Sequence, residues 1–155
     1  ECRLHEYCKR LHAIKQRRIK MAIFKYILKN TRRQAAAKVV ANDANSVIIT
    51  YTDIKYADQT IPLNTAGNLF WTISDITYDV QTSAQIVRNG NIVFTMSAGQ
   101  GTISLSRDLG VVLDEAAHAN VTIQTGTGNS SVIVQFTKGS GFNDPDRQIL
   151  QQPDR

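Results

Sequence analysis

Four side chains near the start of the chain have the types and spacing of a metal site. They form a C-x2-H-x2-C-x3-H series that consists of Cys2, His5, Cys8 and His12, and zinc prefers sulfur and nitrogen donors of this kind. On one continuous helix, however, Cys2 and His12 would lie about 15 Å apart along the axis. A tetrahedral site would need a bend between them, and we therefore predict no metal site.

Groups for acid–base or nucleophilic catalysis are scarce in the rest of the chain. His118 is the one histidine after His12, and no nucleophile-elbow pattern accompanies it. Asp114 and Glu115 are adjacent, so their side chains point in different directions in a helix or a strand and form no evident acid–base pair. The sequence therefore predicts a protein that is not an enzyme.

Short glycine and acidic motifs do not indicate a cofactor either. "GQG" at 99–101 and "GTG" at 126–128 lack the spacing and the strand-to-helix context of a phosphate-binding loop. "NDPD" at 143–146 lacks the regular oxygen spacing and the terminal Glu of a dedicated calcium loop. We interpret the glycine motifs as turns, and we predict no cofactor.

The net charge of +5 is unevenly divided along the chain. Residues 1–41 carry twelve basic and two acidic side chains, a net charge of +10, whereas the rest carries six basic and eleven acidic ones, a net charge of −5. This division predicts a basic arm that meets an acidic partner. A protein surface is preferred to nucleic acid as that partner, because the acidic body would repel phosphates and no nucleic-acid-binding signature is present. The predicted docking residues are Lys25, Lys29, Arg32, Arg33 and Lys38.

Met21 raises the question of where the protein starts. The codons for residues 17–20, Arg-Arg-Ile-Lys, can spell a purine-rich run of the kind that precedes bacterial and phage start codons. One interpretation is therefore that residues 1–20 are a translated leader. Both cysteines lie in this segment, so the remaining chain would need no oxidising compartment.

Hydrophobic periodicity separates a helical start from a β body. Apolar residues recur at three- and four-residue steps between Leu4 and Ile14, as on one face of a short helix. From about residue 32 the chain shows short β-branched and aromatic runs separated by turn-forming residues, and Asn89-Gly90 predicts a tight hairpin. The runs are "SVIITY", "NLFWTI", "AQIVR", "NIVFTM", "TISL", "NVTIQT" and "SVIVQF", preceded by a first strand at about 32–41. The pattern predicts a mainly β fold, an antiparallel β-sandwich or jelly-roll-like domain.

Three segments follow from these patterns. They are a basic N-terminal arm or helix at 1–31, the β domain at 32–142 and a polar tail at 143–155. No apolar run approaches the ~20 residues needed to span a bilayer, so no membrane partner is predicted. The predicted core residues are Trp71, Ile92, Phe94, Val132, Val134 and Phe136.

From Met21 onward the order of motifs resembles small virion structural proteins of tailed bacteriophages, of the head-decoration or capsid cement type. The resemblance covers most of residues 21–142 and rests on "MAIFKYILKNTRRQAAAKVVA", "NLFWTISDI", "AQIVRNGNIVFTMSAGQG", "ISLSRDLG" and "SVIVQFTKGSGF". It implies a non-enzymatic homo-oligomer that is assembled in the host cytoplasm. Such a protein would bind the major capsid protein on the capsid exterior and stabilise the shell.

Two alternatives from other classes stay open. A receptor- or carbohydrate-binding module of a phage tail or fibre would use the same β architecture, and Tyr51, Tyr56 or Tyr78 could stack on sugars. A nucleic-acid-binding protein would use the basic arm, and its affinity would fall steeply as the salt concentration rises.

Overall fold

A computed structural model of the chain describes residues 23–60, 69–105, 118–139 and 141–142. The zinc-like series, the interpreted leader, the Asp114–Glu115 pair and the polar tail lie outside these residues. The described strands are β1 Phe24–Asn30, β2 Gln34–Ala41, β3 Asn45–Ile49, β4 Trp71–Arg88, β5 Asn91–Ser104, β6 Val121–Thr125 and β7 Ser130–Lys138, and the short helix α1 spans Tyr51–Ile54. No helix in the described part of the chain is both long enough and apolar enough to cross a membrane.

The strands form one antiparallel sheet that is organised around the long strand β4. The order is β1-β2-β7-β4-β6-β3, and β5 pairs with the other edge of β4. Residues 71–80 of β4 pair with β7, whereas residues 84–88 pair with β6. The sheet therefore divides into a β1-β2-β7 wing and a β3-β6 wing, and it curls until it is nearly closed. This architecture confirms the predicted mainly β, antiparallel, jelly-roll-like class.

The core fills the space between the two wings. Alternate residues of β7 point inward, so that Val132, Val134 and Phe136 are fully buried, as the period of two along a strand requires. Trp71 is also buried, and its ring centroid lies 5.1 Å from that of Phe136. The prediction of Ile92 as a core residue is wrong: its side chain is 59% exposed, because it lies on β5 at the edge of the sheet.

A buried arginine connects the two ends of β4. Arg88 is only 1% exposed, and its guanidinium carbon lies 4.7 Å from the centroid of the Trp71 ring. Its Nη2 donates to the carbonyl of Trp71 at 2.7 Å, and its Nε donates to the carbonyl of Ala119 at 3.0 Å. The planar guanidinium thus ties the β7-paired half of β4 to the β6-paired half and to the segment that enters β6.

The predicted Asn89-Gly90 hairpin is confirmed. Both residues have positive φ angles, 50° for Asn89 and 77° for Gly90, which a two-residue hairpin turn requires. The turn joins β4 to β5 directly.

Residues 24–30, assigned from the sequence to the basic arm or helix, instead form β1 and pair with β2 from Phe24–Val40 to Asn30–Ala35. This corrects the boundary at residue 31, which falls in the β1–β2 turn, where Thr31 N donates to the carbonyl of Gln34 at 2.8 Å. The physical reason is that aromatic and β-branched side chains such as Tyr26 and Ile27 favour a strand. The edge of β2 also supplies hydrogen-bond partners for the backbone of β1. The first predicted strand, at about 32–41, matches β2.

Lys25 of β1 makes polar contacts with the β3-β6 wing. Its Nζ lies 2.7 Å from Asp53 Oδ2 and donates to the carbonyl of Ile48 at 3.1 Å. Asp53 also accepts a hydrogen bond from the Thr50 amide at 2.8 Å. Burial acts to raise the pKa of Asp53, but the hydrogen bonds from Lys25 and Thr50 outweigh it and hold the pKa below its usual value.

We expect Arg88→Lys to lower the free energy of unfolding by about 1.5–3 kcal/mol, the typical contribution of a hydrogen bond to a charged group. Lysine keeps the charge but lacks the planar fork that reaches both carbonyls. Urea unfolding checks this value. Arg33→Lys, the same change at an exposed position, should stay within about 0.5 kcal/mol of the parent; equal losses in the two variants would contradict the role of Arg88.

We expect Asp53→Asn to weaken the acid sensitivity of the fold. Because the folded-state pKa of Asp53 is lowered, its ionised form stabilises the fold fully above the unfolded pKa of about 3.9. That contribution is lost as the pH falls through the folded-state pKa. Urea midpoints between pH 2 and 7 should therefore fall less in Asp53→Asn than in the parent.

Asp79→Asn is the matched control for this measurement. Asp79 is an exposed residue of β4 that accepts a hydrogen bond from Gln100 at 3.1 Å, and this variant keeps the Lys25–Asp53 pair. It should retain the acid sensitivity of the parent. The same pH profile for all three proteins would show that the pair contributes nothing.

Candidate functional site

A surface cleft lies where the β1–β2 turn meets the segment that follows α1. It has a volume of about 430 Å³ and is lined by Asn30, Thr31, Arg32, Arg33 and Tyr56. Pockets for small ligands commonly measure about 300–1,000 Å³. The cleft therefore has the size of a ligand site, and two of the five predicted docking residues form part of its wall.

Arg32 is oriented by two neighbours. Its Nη2 lies 2.6 Å from Asp58 Oδ2, and its guanidinium carbon lies 5.5 Å from the centroid of the Tyr56 ring. Both members of the ion pair are more than a third exposed, so this pair contributes only about 0–1 kcal/mol to stability. Its main effect is to direct one guanidinium along the cleft wall.

Arg33 lies beside Arg32 and lines the same cleft. Within the described ranges, its exposed side chain has no hydrogen-bond or ion-pair partner. Its backbone is nevertheless fixed, because its carbonyl accepts a hydrogen bond from the Lys138 amide at 2.8 Å. Arginine carries five N–H donors in a planar arrangement, and those of Arg33 are available to a ligand.

Two buried polar residues hold the cleft wall in place. Gln59 is 1% exposed; its Nε2 donates to the carbonyl of Arg32 at 2.8 Å and its Oε1 accepts from the Tyr56 amide at 3.0 Å. Lys138 is 7% exposed, and its Nζ donates to the carbonyl of Thr31 at 2.6 Å and to Gln59 Oε1 at 3.2 Å. The cleft is thus framed by hydrogen bonds from the interior of the sheet.

The sequence analysis did not identify Lys138 or Gln59. Lys138 follows Val132, Val134 and Phe136 at the same two-residue step, so the alternation along β7 was a signal that it points inward. Gln59 carries no comparable signal, because glutamine is mostly exposed in proteins and its position depends on the loop after α1.

The cleft region has a strong positive charge. Five basic side chains and one acidic side chain belong to the end of β1, the turn, the segment after α1 and the end of β7; they are Lys29, Arg32, Arg33, Lys55, Lys138 and Asp58. A cluster of one sign of charge attracts ions of the opposite sign. The electrostatic field here favours an anion.

The five predicted docking residues do not form one surface. Lys29 lies near the cleft, where its Nζ donates to Gln34 Oε1 at 2.9 Å, but Lys25 is engaged with Asp53 near the opposite end of β1. Lys38 lies on β2, paired with Tyr26 and Ile133 of the adjacent strands. The structure therefore brings together Arg32 and Arg33 and separates Lys25 and Lys38 from them.

The three tyrosines considered for sugar stacking do not share a surface either. Tyr51 belongs to α1, and Tyr56 contacts Arg32 in the cleft. Tyr78 is half-buried and lies across Gly101, where a Cβ atom would come within 2.7 Å of the ring. Any larger residue at position 101 would force the Tyr78 ring to shift.

A second cavity, of about 390 Å³, lies on β4, β5 and β7. Its lining includes Thr77, Asp79, Gln100 and Thr102. These side chains bond to one another, with Gln100 Nε2 at 3.1 Å from Asp79 Oδ2 and the Thr102 and Thr77 hydroxyls 3.4 Å apart. The described lining of this second cavity contains no basic side chain, whereas that of the cleft contains Arg32 and Arg33.

Metal-ligating side chains do not cluster in the described part of the chain. No group of three or more His, Cys, Asp or Glu residues there could hold a metal ion. His118 lies exposed in a turn before β6, as expected for a residue of a polar connection.

Comparisons with known proteins give a likeness of fold. No family model and no curated protein matches the chain. Among solved structures, KdgF from Halomonas sp. is 14% identical over 83% of this chain and 86% of its own, with a TM-score of 0.38. The cupin domain of Schizosaccharomyces pombe Cnp3 is 11% identical over 82% and 80%, with a TM-score of 0.41. An RmlC-like cupin from Shewanella frigidimarina is 12% identical over 79% and 81%, with a TM-score of 0.38.

These comparisons correct the function expected from the sequence. The prediction of a phage virion protein that decorates a capsid is wrong: several of the solved structures that the chain resembles are described as cupins, and none of those named above is described as a virion protein. The jelly-roll-like class is unaffected. The homo-oligomer and the absence of catalysis stay predictions.

Proposed function

We propose that this chain is a non-enzymatic binding module that holds the oxyanion group of a small organic ligand, a carboxylate or a phosphate, in the cleft beside Arg32 and Arg33. The observation that carries the proposal is the Arg33 guanidinium, which has no partner among the described residues and borders a ligand-sized cleft next to a second, oriented arginine. The positive charge of the region supports the same ligand class.

The chemistry of the lining fits an oxyanion attached to a carbon skeleton. Guanidinium groups match carboxylates and phosphates with two parallel N–H···O bonds. The side chains of Asn30 and Thr31 are already hydrogen-bonded to Lys55, Lys138 and Gln34, so they shape the cleft wall. The Tyr56 ring adds an apolar surface on which the rest of a ligand could pack.

The composition of the cleft supports binding rather than turnover. Its described lining supplies guanidinium, amide, hydroxyl and phenol groups but contains no histidine, cysteine or carboxylate. The nearest acid, Asp58, is paired with Arg32. General acid–base catalysis uses a group that can exchange a proton near neutral pH, whereas an arginine stays protonated.

The frame behind the cleft supports affinity. Gln59 and Lys138 fix the backbone of residues 31, 32 and 56 before any ligand arrives. A site that is already ordered loses less conformational entropy when it binds. The two arginines can therefore be held in position by contacts that the ligand does not have to provide.

We expect the full chain to bind inorganic phosphate or citrate more tightly than chloride at constant ionic strength. A ligand at a hundredfold excess over its Kd stabilises a folded protein by about 2.7 kcal/mol, which thermal unfolding detects. Isothermal titration calorimetry then gives Kd for each probe. Phosphate and citrate are tested separately, because the stronger of the two identifies the class of oxyanion.

Arg33→Gln should raise Kd about 10- to 100-fold, because hydrogen bonds to charged groups contribute about 1.5–3 kcal/mol. Lys38→Gln removes the same charge from β2, outside the lining of the cleft, and should leave Kd almost unchanged. Two results would refute the proposal: no stabilisation of the parent by either probe, or equal weakening in the two variants, which would indicate a nonspecific effect of net charge.

A further inference from the structure

Two rows of side chains cross the sheet from β5 to β1 on the side that faces away from the core. Paired residues on neighbouring antiparallel strands have their side chains on the same face, and Val39, Val80 and Val132 occupy the buried, inward positions of β2, β4 and β7. The residues that alternate with them therefore point outward. One row is Thr102, Thr77, Ile133, Lys38 and Tyr26, and the other is Gln100, Asp79, Ser131, Val40 and Phe24. Together the two rows form the outer face of the sheet.

The β1 end of the outer face is aromatic. Phe24 is 43% exposed and Tyr26 is 50% exposed, although large side chains of this kind are usually buried to a high degree. Their ring centroids lie 6.3 Å apart and their ring planes are inclined by only 25°. The two rings thus form one exposed surface on which the apolar part of a ligand can pack.

The opposite end of the outer face is polar. The second cavity, of about 390 Å³, includes the side chains of Asp79, Gln100 and Ser131 in its lining. Gln100 Nε2 donates to Asp79 Oδ2 at 3.1 Å, which orients both groups. In the part of the chain that the structure describes, Asp79 Oδ1, Gln100 Oε1 and the Ser131 hydroxyl have no hydrogen-bond partner. These groups are available to a ligand.

The chemistry of the outer face favours a neutral ligand that carries hydroxyl groups. The charged residues of the two rows are Lys38 and Asp79, whose charges balance. The Asp79 carboxylate would repel a phosphate, and within the described residues no group of three or more His, Cys, Asp or Glu side chains could hold a metal ion. A hydroxyl can donate to the free oxygens of Asp79 and Gln100 and can accept from Ser131.

We infer that the outer face binds a neutral oligosaccharide, which extends across the strands from Asp79 and Gln100 to Phe24 and Tyr26. β4 and β1 are three strand spacings apart, which amounts to about 14 Å. A ligand that reaches both ends is therefore a chain of sugar rings. Its hydroxyls bond to the carboxylate and the amide, and the apolar faces of its rings pack on the two aromatic side chains. The outer face does not include Arg33, so the inference is independent of the proposed anion site.

Titration calorimetry of the full chain with neutral linear hexasaccharides tests the inference. The probes are cellohexaose, maltohexaose, laminarihexaose, mannohexaose, xylohexaose and chitohexaose. At least one should bind with a Kd below about 1 mM. The monosaccharide of the same unit should bind at least about tenfold more weakly, because it reaches only one end of the outer face. The Kd should not change with salt concentration, since a neutral ligand forms no ion pair.

Two substitutions locate the bound hexasaccharide. Tyr26→Ala removes part of the aromatic surface and should raise Kd about tenfold, and Asp79→Asn removes a charged acceptor and should raise it by a similar factor. The matched controls are Tyr51→Ala, on α1, and Asp43→Asn, in the β2–β3 turn, which should leave Kd unchanged. All four positions are exposed, so the fold should be retained, and circular dichroism checks this.

Three results would overturn the inference. The first is a lack of binding by every hexasaccharide, and the second is equal weakening in the two variants and their controls. The third is binding that Arg33→Gln weakens and Tyr26→Ala does not, because the sugar would then occupy the cleft. Titrations with phosphate and citrate on the same protein report on the cleft separately, so failure of one site is distinguishable from failure of the other.

Discussion

The contact between Arg88 and Trp71 is the constraint on which the curled sheet depends. β4 is one 18-residue strand, yet its last residue donates a hydrogen bond to the carbonyl of its first, at 2.7 Å. A straight strand of this length would hold these residues more than about 50 Å apart. The strand must therefore bend, and the register shift between Val80 and Ser83 marks the place. Because each half of β4 pairs with a different strand, this bend brings the two wings together around the core.

The sequence predicted the parts of the fold that depend on neighbouring residues. The alternation in "SVIVQF" predicts β7, and the Asn-Gly pair predicts the β4–β5 hairpin. Both signals depend only on local backbone geometry. The length of β4 was not predictable in this way, because "NLFWTI" and "AQIVR" indicate two strands and the polar residues between them resemble a loop. Residues 75–80 stay extended because β5 and β7 pair with them on both sides, and Ile76 and Val80 keep the inward alternation. Only the pairing of distant strands supplies that information.

The cleft shows the same division between local and distant information. The sequence shows which residues are basic. Arg32 and Arg33 lie side by side in the cleft because they belong to the same turn. Charge counting could not show that Lys25 pairs with Asp53, which lies 28 positions along the chain, or that Lys138 reaches Thr31 from 107 positions away. A basic residue is available to a ligand only if the fold leaves it without an internal partner. Among the predicted residues at this turn, Arg33 meets that condition, whereas Arg32 is shared with Asp58.

Large side chains fill the interior of the sheet between the described strands. Trp71, Phe136 and Ile86 occupy the space between the wings with no measurable exposure, and protein interiors are packed as densely as organic crystals. A ligand inside would have to displace these side chains, at about 2–5 kcal/mol for each large one. Two cavities that are lined by described residues lie on the outside, one at a turn and one on the sheet. The fold thus acts as a rigid support, and the chemistry depends on side chains at its rim, where a single substitution can change binding without disturbing the core.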